Sequence, residues 1–229
     1  PDDVARIAAA PLPVLLTVAP EAQPPDLLAR LSAAGVILFA GHTAATWEQM
    51  AAAVGLGLRG VTHLFNAMSQ IEGRAPGVVG AALSDKRLRA GVIADGHHVH
   101  PANLALAAAV MGDRLFLVTD AMATLASDID RFDLFGAPVR LAEGRLSSAD
   151  GTLAGAHLAM DEAVRGMIAM AGVSAGRALA MASGNAARAI GMEGSLGRIA
   201  PGWRASLTCL DEDLHACAVM VDGAWAEAD

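Results

Sequence analysis

Apolar residues along the chain gather into five short runs: residues 12–18 (LPVLLTV), 36–40 (VILFA), 61–64 (VTHL), 88–94 (LRAGVIA) and 115–119 (LFLVT). Compact apolar runs of this kind are the pattern of strands buried on both faces. The stretches between them predict helices: 24–34, led by Pro24 and Asp26; 46–57; and the alanine-rich 101–111, with Pro101 at a first helical position. Strand alternating with helix predicts a parallel sheet. Four of the strands run out into a polar residue, namely His42, His63, His98 and Asp120. A parallel α/β barrel uses that end of its strands for chemistry, because side chains there converge on one mouth. Beyond Asp120 the pattern changes. Residues 132–146 (FDLFGAPVRLAEGRL) predict a hairpin, and 160–171, 174–182 and 185–190 predict helices. After Gly197 short alternating runs and turns predict antiparallel strands, which divides the chain into 1–196 and 197–229.

The chain has 229 residues, enough for a substantial core in one or two domains. Mean hydropathy is high, +0.44, yet no long apolar run is free of charge, so no membrane span is expected. The opening PDDVARIAAAP carries acids where a secretory signal carries bases, so a cytoplasmic location is expected. It also lacks an initiator Met, and the sequence is read as part of a longer translation product. A net charge of −8 without any basic cluster argues against nucleic acid as a partner. A small anion remains open, since local arginines matter more than total charge. Cys209 and Cys217 are not spaced as CxxC and are expected to be reduced thiols in a core.

Each candidate residue has a bland alternative. His42 and His63 can meet only if strands lie side by side; they are then metal ligands or satisfied structural histidines. Asp120 suits a general base or a helix N-cap. His97, His98 and His100 form a local metal cluster or one functional histidine with exposed neighbours, and Asp95 can orient one of them. Arg74, between Gly73 and Gly77, is an anion-gripping or a solvated loop arginine. Asn66 and Ala67 can present backbone N–H groups to an anion. The glycine-rich DGTLAGA (150–156) lacks P-loop spacing. His157 and His215 are left as surface or core residues.

Taken in order, TVAPE (17–21), GHTAAT (41–46), THLFNAM (62–68), GRAPG (73–77), IADGHHV (93–99), LVTDAM (117–122), DGTLAGA (150–156) and the tail's GRIAPG and VDGAW resemble the N-acetylglucosamine-6-phosphate deacetylase family of the amidohydrolase superfamily. The resemblance implies a partial (β/α)8 TIM-type barrel, about strands 4 to 8, with a small C-terminal β appendage belonging to a sandwich domain. It implies metal-dependent hydrolysis of the acetamide of N-acetylglucosamine 6-phosphate to glucosamine 6-phosphate and acetate. His42 and His63 match metal ligands, Asp120 the catalytic aspartate, and His98 the histidine at the substrate's acetamide. Asn66, Ala67 and Arg74 match phosphate-binding positions, the arginine reaching across a homodimer. The implied cofactor is a divalent metal, zinc or ferrous iron. Two departures stand out. The family's HLEGP-like motif, whose glutamate completes the metal site, is absent, and MATLASDIDRF (122–132) replaces the usual Pro/Gly-rich loop. Alternatives are another N-acetylhexosamine 6-phosphate as substrate, or a non-catalytic phosphosugar-binding fragment. Five strands of a barrel would leave two edges and an interior for other protein to cover.

Overall fold

A computed structural model describes residues 3–11 and 13–226 of the chain. Strands β1 (Leu15–Val18), β2 (Ile37–Ala40), β3 (Leu58–Val61), β4 (Arg89–Val92) and β5 (Leu115–Leu117) form one sheet in sequential order. Every pairing in it is parallel. Helix α1 (Asp3–Ala8) precedes β1; α2 (Pro25–Ala33), α3 (Trp47–Gly55), α4 (Gly77–Ser84) and α5 (Pro101–Met111) connect the strands. After β5 come an antiparallel meander, β6 (Arg131–Leu134), β7 (Ala137–Ala142) and β8 (Arg145–Ser148), and three helices, α6 (Met160–Ala171), α7 (Ala175–Ala182) and α8 (Gly184–Ala189). A second antiparallel sheet, β9 (Leu207–Leu210), β10 (Ala216–Val221) and β11 (Ala224–Trp225), ends the described chain. No helix among the described residues is long and apolar enough to cross a membrane.

The local chemistry accounts for most boundaries. Thr46 and Gln49 form a reciprocal capping box that starts α3, and the Ser174 hydroxyl caps α7. Phe135-Gly136, Glu143-Gly144 and Asp222-Gly223 all have positive φ, as two-residue hairpin turns require.

The two faces of the parallel sheet differ. Leu38, Ala40, Ala90, Val92, Leu115 and Leu117 point to the helices and are buried in the main core. The opposite face holds Phe39 of β2 and Phe116 of β5, whose rings meet edge to face at 6.1 Å between centroids. They reach each other across the intervening strands because those strands carry glycine there. A Cβ on Gly60 would lie 2.4 Å from the Phe39 ring, and one on Gly91 3.3 Å from Phe116. Ala186 and Ala189 of α8 pack against this pair. From the same helix the buried Asn185 donates to the Leu115 carbonyl at 2.9 Å, closing the outer edge of β5. No described strand pairs with the outer edge of β1, and its Leu15 is 37% exposed.

Several expectations are corrected. The third strand runs over Leu58–Val61 rather than 61–64: Arg59 and Gly60 interrupt the apolar run, so His63 lies beyond the strand. The first strand begins at Leu15, and Leu12 lies outside the described residues. The fifth strand stops at Leu117. The expected hairpin is a three-stranded meander reaching Ser148. Helices α1 and α4 were not anticipated; six of the eight α4 residues are buried, so that helix has no polar face to give a period. Cys209 and Cys217 are exposed rather than in a core, because they sit on a thin sheet.

Candidate active site

His42, His63 and Asp120 each follow a strand of the parallel sheet, and all three have left-handed backbones, with φ of 48°, 35° and 53°. Histidine and aspartate tolerate this region better than most residues, and such geometry persists only where the surroundings enforce it. It turns the chain sharply at the strand end. His42 Nε2 and His63 Nε2 consequently lie 3.0 Å apart, with the rings nearly perpendicular at 82°. Two nitrogen lone pairs at that distance repel unless a proton or a cation lies between them. Burial first, and then the charge of His42, push the His63 imidazole below the ordinary histidine range, while Asp120 acts on it in the opposite sense. The buried His63 is therefore biased to the neutral, ligating form. Its Nδ1 is buried without a hydrogen-bond partner.

The pair fits two corners of a metal site, where bonds of about 2.0–2.1 Å at a tetrahedral angle bring nitrogens within roughly 3.3 Å. Among the described residues no third His, Cys, Asp or Glu joins them in a group able to hold an ion.

At the end of β4, Asp95 Oδ2 lies 2.6 Å from His98 Nδ1, and Asp95 Oδ1 accepts from the N–H groups of His97 and His98 at 2.9 Å each. Both side chains are at least 90% buried, with 6% and 7% exposed. Burial alone would raise the Asp95 carboxyl, but the His98 ring and these N–H groups outweigh it and hold the group at about 2. Asp95 thus fixes the His98 ring through Nδ1 and leaves Nε2 for another partner. No described hydrogen bond or ion pair joins His98 to His42 or His63.

The remaining candidates divide. Asn66 and Ala67 follow His63 directly. The Asn66 backbone N–H is already committed to the His63 carbonyl at 3.0 Å, and its side-chain amide turns back to His63 and Leu64 carbonyls at 3.3 Å, so an anion would have to displace these contacts. Ala67 is exposed, with φ of 47°, and accepts from Thr43 N–H at 3.0 Å. Arg74 stands in the exposed loop 71–76, without a described partner.

Sequence reasoning missed what holds Asp120. Residues 120–122 and 156 exchange backbone hydrogen bonds: Ala156 N–H to Asp120 at 2.8 Å and Met122 N–H to Ala156 at 3.0 Å. Gly155, with φ of 74°, allows the approach; a Cβ there would lie 2.3 Å from Met122 Cγ and 3.1 Å from the Asp120 carbonyl oxygen. The DGTLAGA stretch carried the signal, since a glycine between small residues marks close backbone approach.

Strand-end histidines and an aspartate on a parallel sheet define a hydrolase of the amidohydrolase type, and the chain belongs to the amidohydrolase family, whose model matches residues 28–226. More narrowly, it is 40% identical over 186 residues to N-acetylgalactosamine-6-phosphate deacetylase of Escherichia coli O157:H7, covering 81% of this chain and 49% of that one. It is 34% identical over 197 residues to N-acetylglucosamine-6-phosphate deacetylase of Haemophilus influenzae, covering 85% of this chain and 51% of the relative. The crystal structure of N-acetylglucosamine-6-phosphate deacetylase from Pasteurella multocida superposes with a TM-score of 0.90 at 36% identity, over 94% of this chain and 57% of that one. The chain spans about half the length of these relatives.

Proposed function

We propose that the chain is the C-terminal portion of a (β/α)8-barrel deacetylase that hydrolyses the acetamide of an N-acetylhexosamine 6-phosphate. Its five parallel strands are about strands 4 to 8 of the barrel, residues 1–196 form the barrel portion, and 197–229 belong to a small β-sandwich. His42 and His63 would hold a divalent ion, zinc or ferrous iron, with further ligands supplied from outside the described residues. When bound, such an ion acidifies water and polarises a carbonyl. Asp120 accepts the proton of the attacking water as its oxygen bonds to the acetyl carbon. It returns that proton to the nitrogen as the C–N bond breaks, releasing acetate and the free amine. His98, oriented by Asp95, steadies the carbonyl oxygen through Nε2. The 66–67 loop and Arg74 receive the 6-phosphate, the arginine across a homodimer. The observation that carries this reading is the approach of the two imidazoles to 3.0 Å.

N-acetylglucosamine 6-phosphate is the substrate that the motifs imply. A second reading is the galacto epimer, the substrate in the name of a relative 40% identical over 81% of this chain. Acetate release from both epimers, measured with added zinc and with chelator, tests the proposal. Metal-dependent release from either supports it, and the faster epimer fixes the sugar. Binding of both sugars without any release, in the chain joined to the missing barrel strands, contradicts it.

A further inference from the structure

Beyond the three strand-end residues, one carboxylate at the same end of the sheet is engaged without being near enough to join the histidine pair. Glu21 lies in the short turn Pro20–Ala22 that follows β1. Its Oε2 accepts from the Thr43 hydroxyl at 2.5 Å, and its Oε1 from the Ala44 N–H at 2.7 Å. Both donors belong to the turn that begins at His42. Thr43 is 5% exposed, and its hydroxyl oxygen also accepts from Ala45 N–H at 3.1 Å. On its other side the same turn is sewn to the loop after His63. Thr43 N–H donates to the Ala67 carbonyl at 3.0 Å, Thr43 and Met68 form a parallel bridge, and the Ser69 hydroxyl donates to the Ala45 carbonyl at 2.6 Å. A left-handed histidine needs its following residues fixed, and here a charged acceptor takes the Thr43 hydroxyl and the Ala44 N–H together.

We infer that Glu21 is a positioning residue that holds the turn after His42, keeps the His42 ring facing His63, and through Thr43 sets the 66–69 loop against it. The inference rests on the reading of His42 as a metal ligand only for its consequence on metal affinity; the positioning itself is a statement about the ion-free chain. The physical reason is economy of contacts. The turn's backbone geometry is costly for a residue with a Cβ, and no other described side chain hydrogen-bonds to residues 42–44 from outside the His42–His63 pair. Removing the carboxylate frees the Thr43 hydroxyl and the Ala44 N–H together, and the ring is no longer held in one direction.

The test uses the whole 229-residue chain, with Glu21→Ala, Glu21→Gln, Thr43→Val and the double variant Glu21→Ala/Thr43→Val. Two quantities are read: the ring signals of His42 by NMR without metal, and the dissociation constant for Zn2+. In Glu21→Ala the His42 signals are expected to move while those of His100 stay, and the Zn2+ constant to rise by about 10- to 100-fold, the range seen when a residue supporting a metal ligand is lost. Glu21→Gln, which keeps one acceptor oxygen, should fall between, and the double variant should be no weaker than Glu21→Ala. A lower melting temperature with unmoved His42 signals would make Glu21 merely structural and overturn the inference. Unchanged Zn2+ affinity in Glu21→Ala, alongside weakened affinity in His42→Ala, would also overturn it. If His42→Ala leaves Zn2+ affinity intact while Glu21→Ala still moves the His42 signals, the metal reading fails and the positioning role stands.

Discussion

Val92 and Val221 are the same residue on two sheets of one chain, yet the first is wholly buried on β4 and the second is 56% exposed on β10. The parallel sheet has helices packed along one face and the Phe39–Phe116 pair beneath α8 on the other. The terminal sheet leaves Val219, Val221 and Trp225 in solvent. The strained residues His42, His63 and Asp120 of the candidate site all follow strands of the first sheet. Packing and chemistry therefore share one region, because a side chain can be held in a costly conformation only where the neighbouring backbone cannot yield.

The contrast can be broken first at its centre. Phe39→Ala should destabilise the chain by about 3–5 kcal/mol in denaturant unfolding, since Gly60 and Gly91 leave nothing to refill the space. The exposed Val221→Ser on the terminal sheet should stay within about 0.5 kcal/mol in the same measurement. Equal effects would mean that the two sheets are alike in packing. Gly155→Ala should come next, with a loss of about 1–3 kcal/mol from the left-handed backbone and the overpacked Met122. That substitution should also lower any deacetylase turnover by displacing Asp120, whereas an equally destabilising change elsewhere in the core should leave turnover per folded molecule unchanged.

The smallest effect is a pH dependence. Asp95 is held at about 2, below the ordinary aspartate value. Its stabilising contribution is therefore fully present above about pH 4 and lost as the pH falls through about 2. Melting of Asp95→Asn and the unaltered chain should differ at pH 6, and the difference should shrink toward pH 2. A constant difference would mean that the His98 contact does not depend on the carboxylate's charge.

Much of the sheet was legible because buried parallel strands are nearly pure apolar runs; 36–40 and 115–119 each place their strand within two residues. Helices α5 and α6 match their predicted limits, marked by Pro101 at one start and Gly172 at the other end. Helix α4 was invisible, since Gly77, Val78, Val79 and Gly80 are poor helix formers and tertiary burial overrides that preference. The placement of His42 and Asp120 after strands was readable from the apolar runs; that of His63, beyond β3 rather than within 61–64, was not. The left-handed backbones were not legible, because His or Asp reads the same in the sequence at φ of +48° as in an extended strand. The Glu21 clamp depends on a contact between separate segments, which no local pattern encodes, whereas the glycine of DGTLAGA marks a close approach without naming Asp120 as its partner.

The proposal that His42 and His63 form one centre for a divalent ion meets its sharpest test in the visible spectrum of the chain titrated with Co2+. One equivalent is expected to give ligand-field bands that disappear in His42→Ala and in His63→Ala and persist in His157→Ala. Bands that survive both His42→Ala and His63→Ala would place the ion elsewhere and contradict the claim.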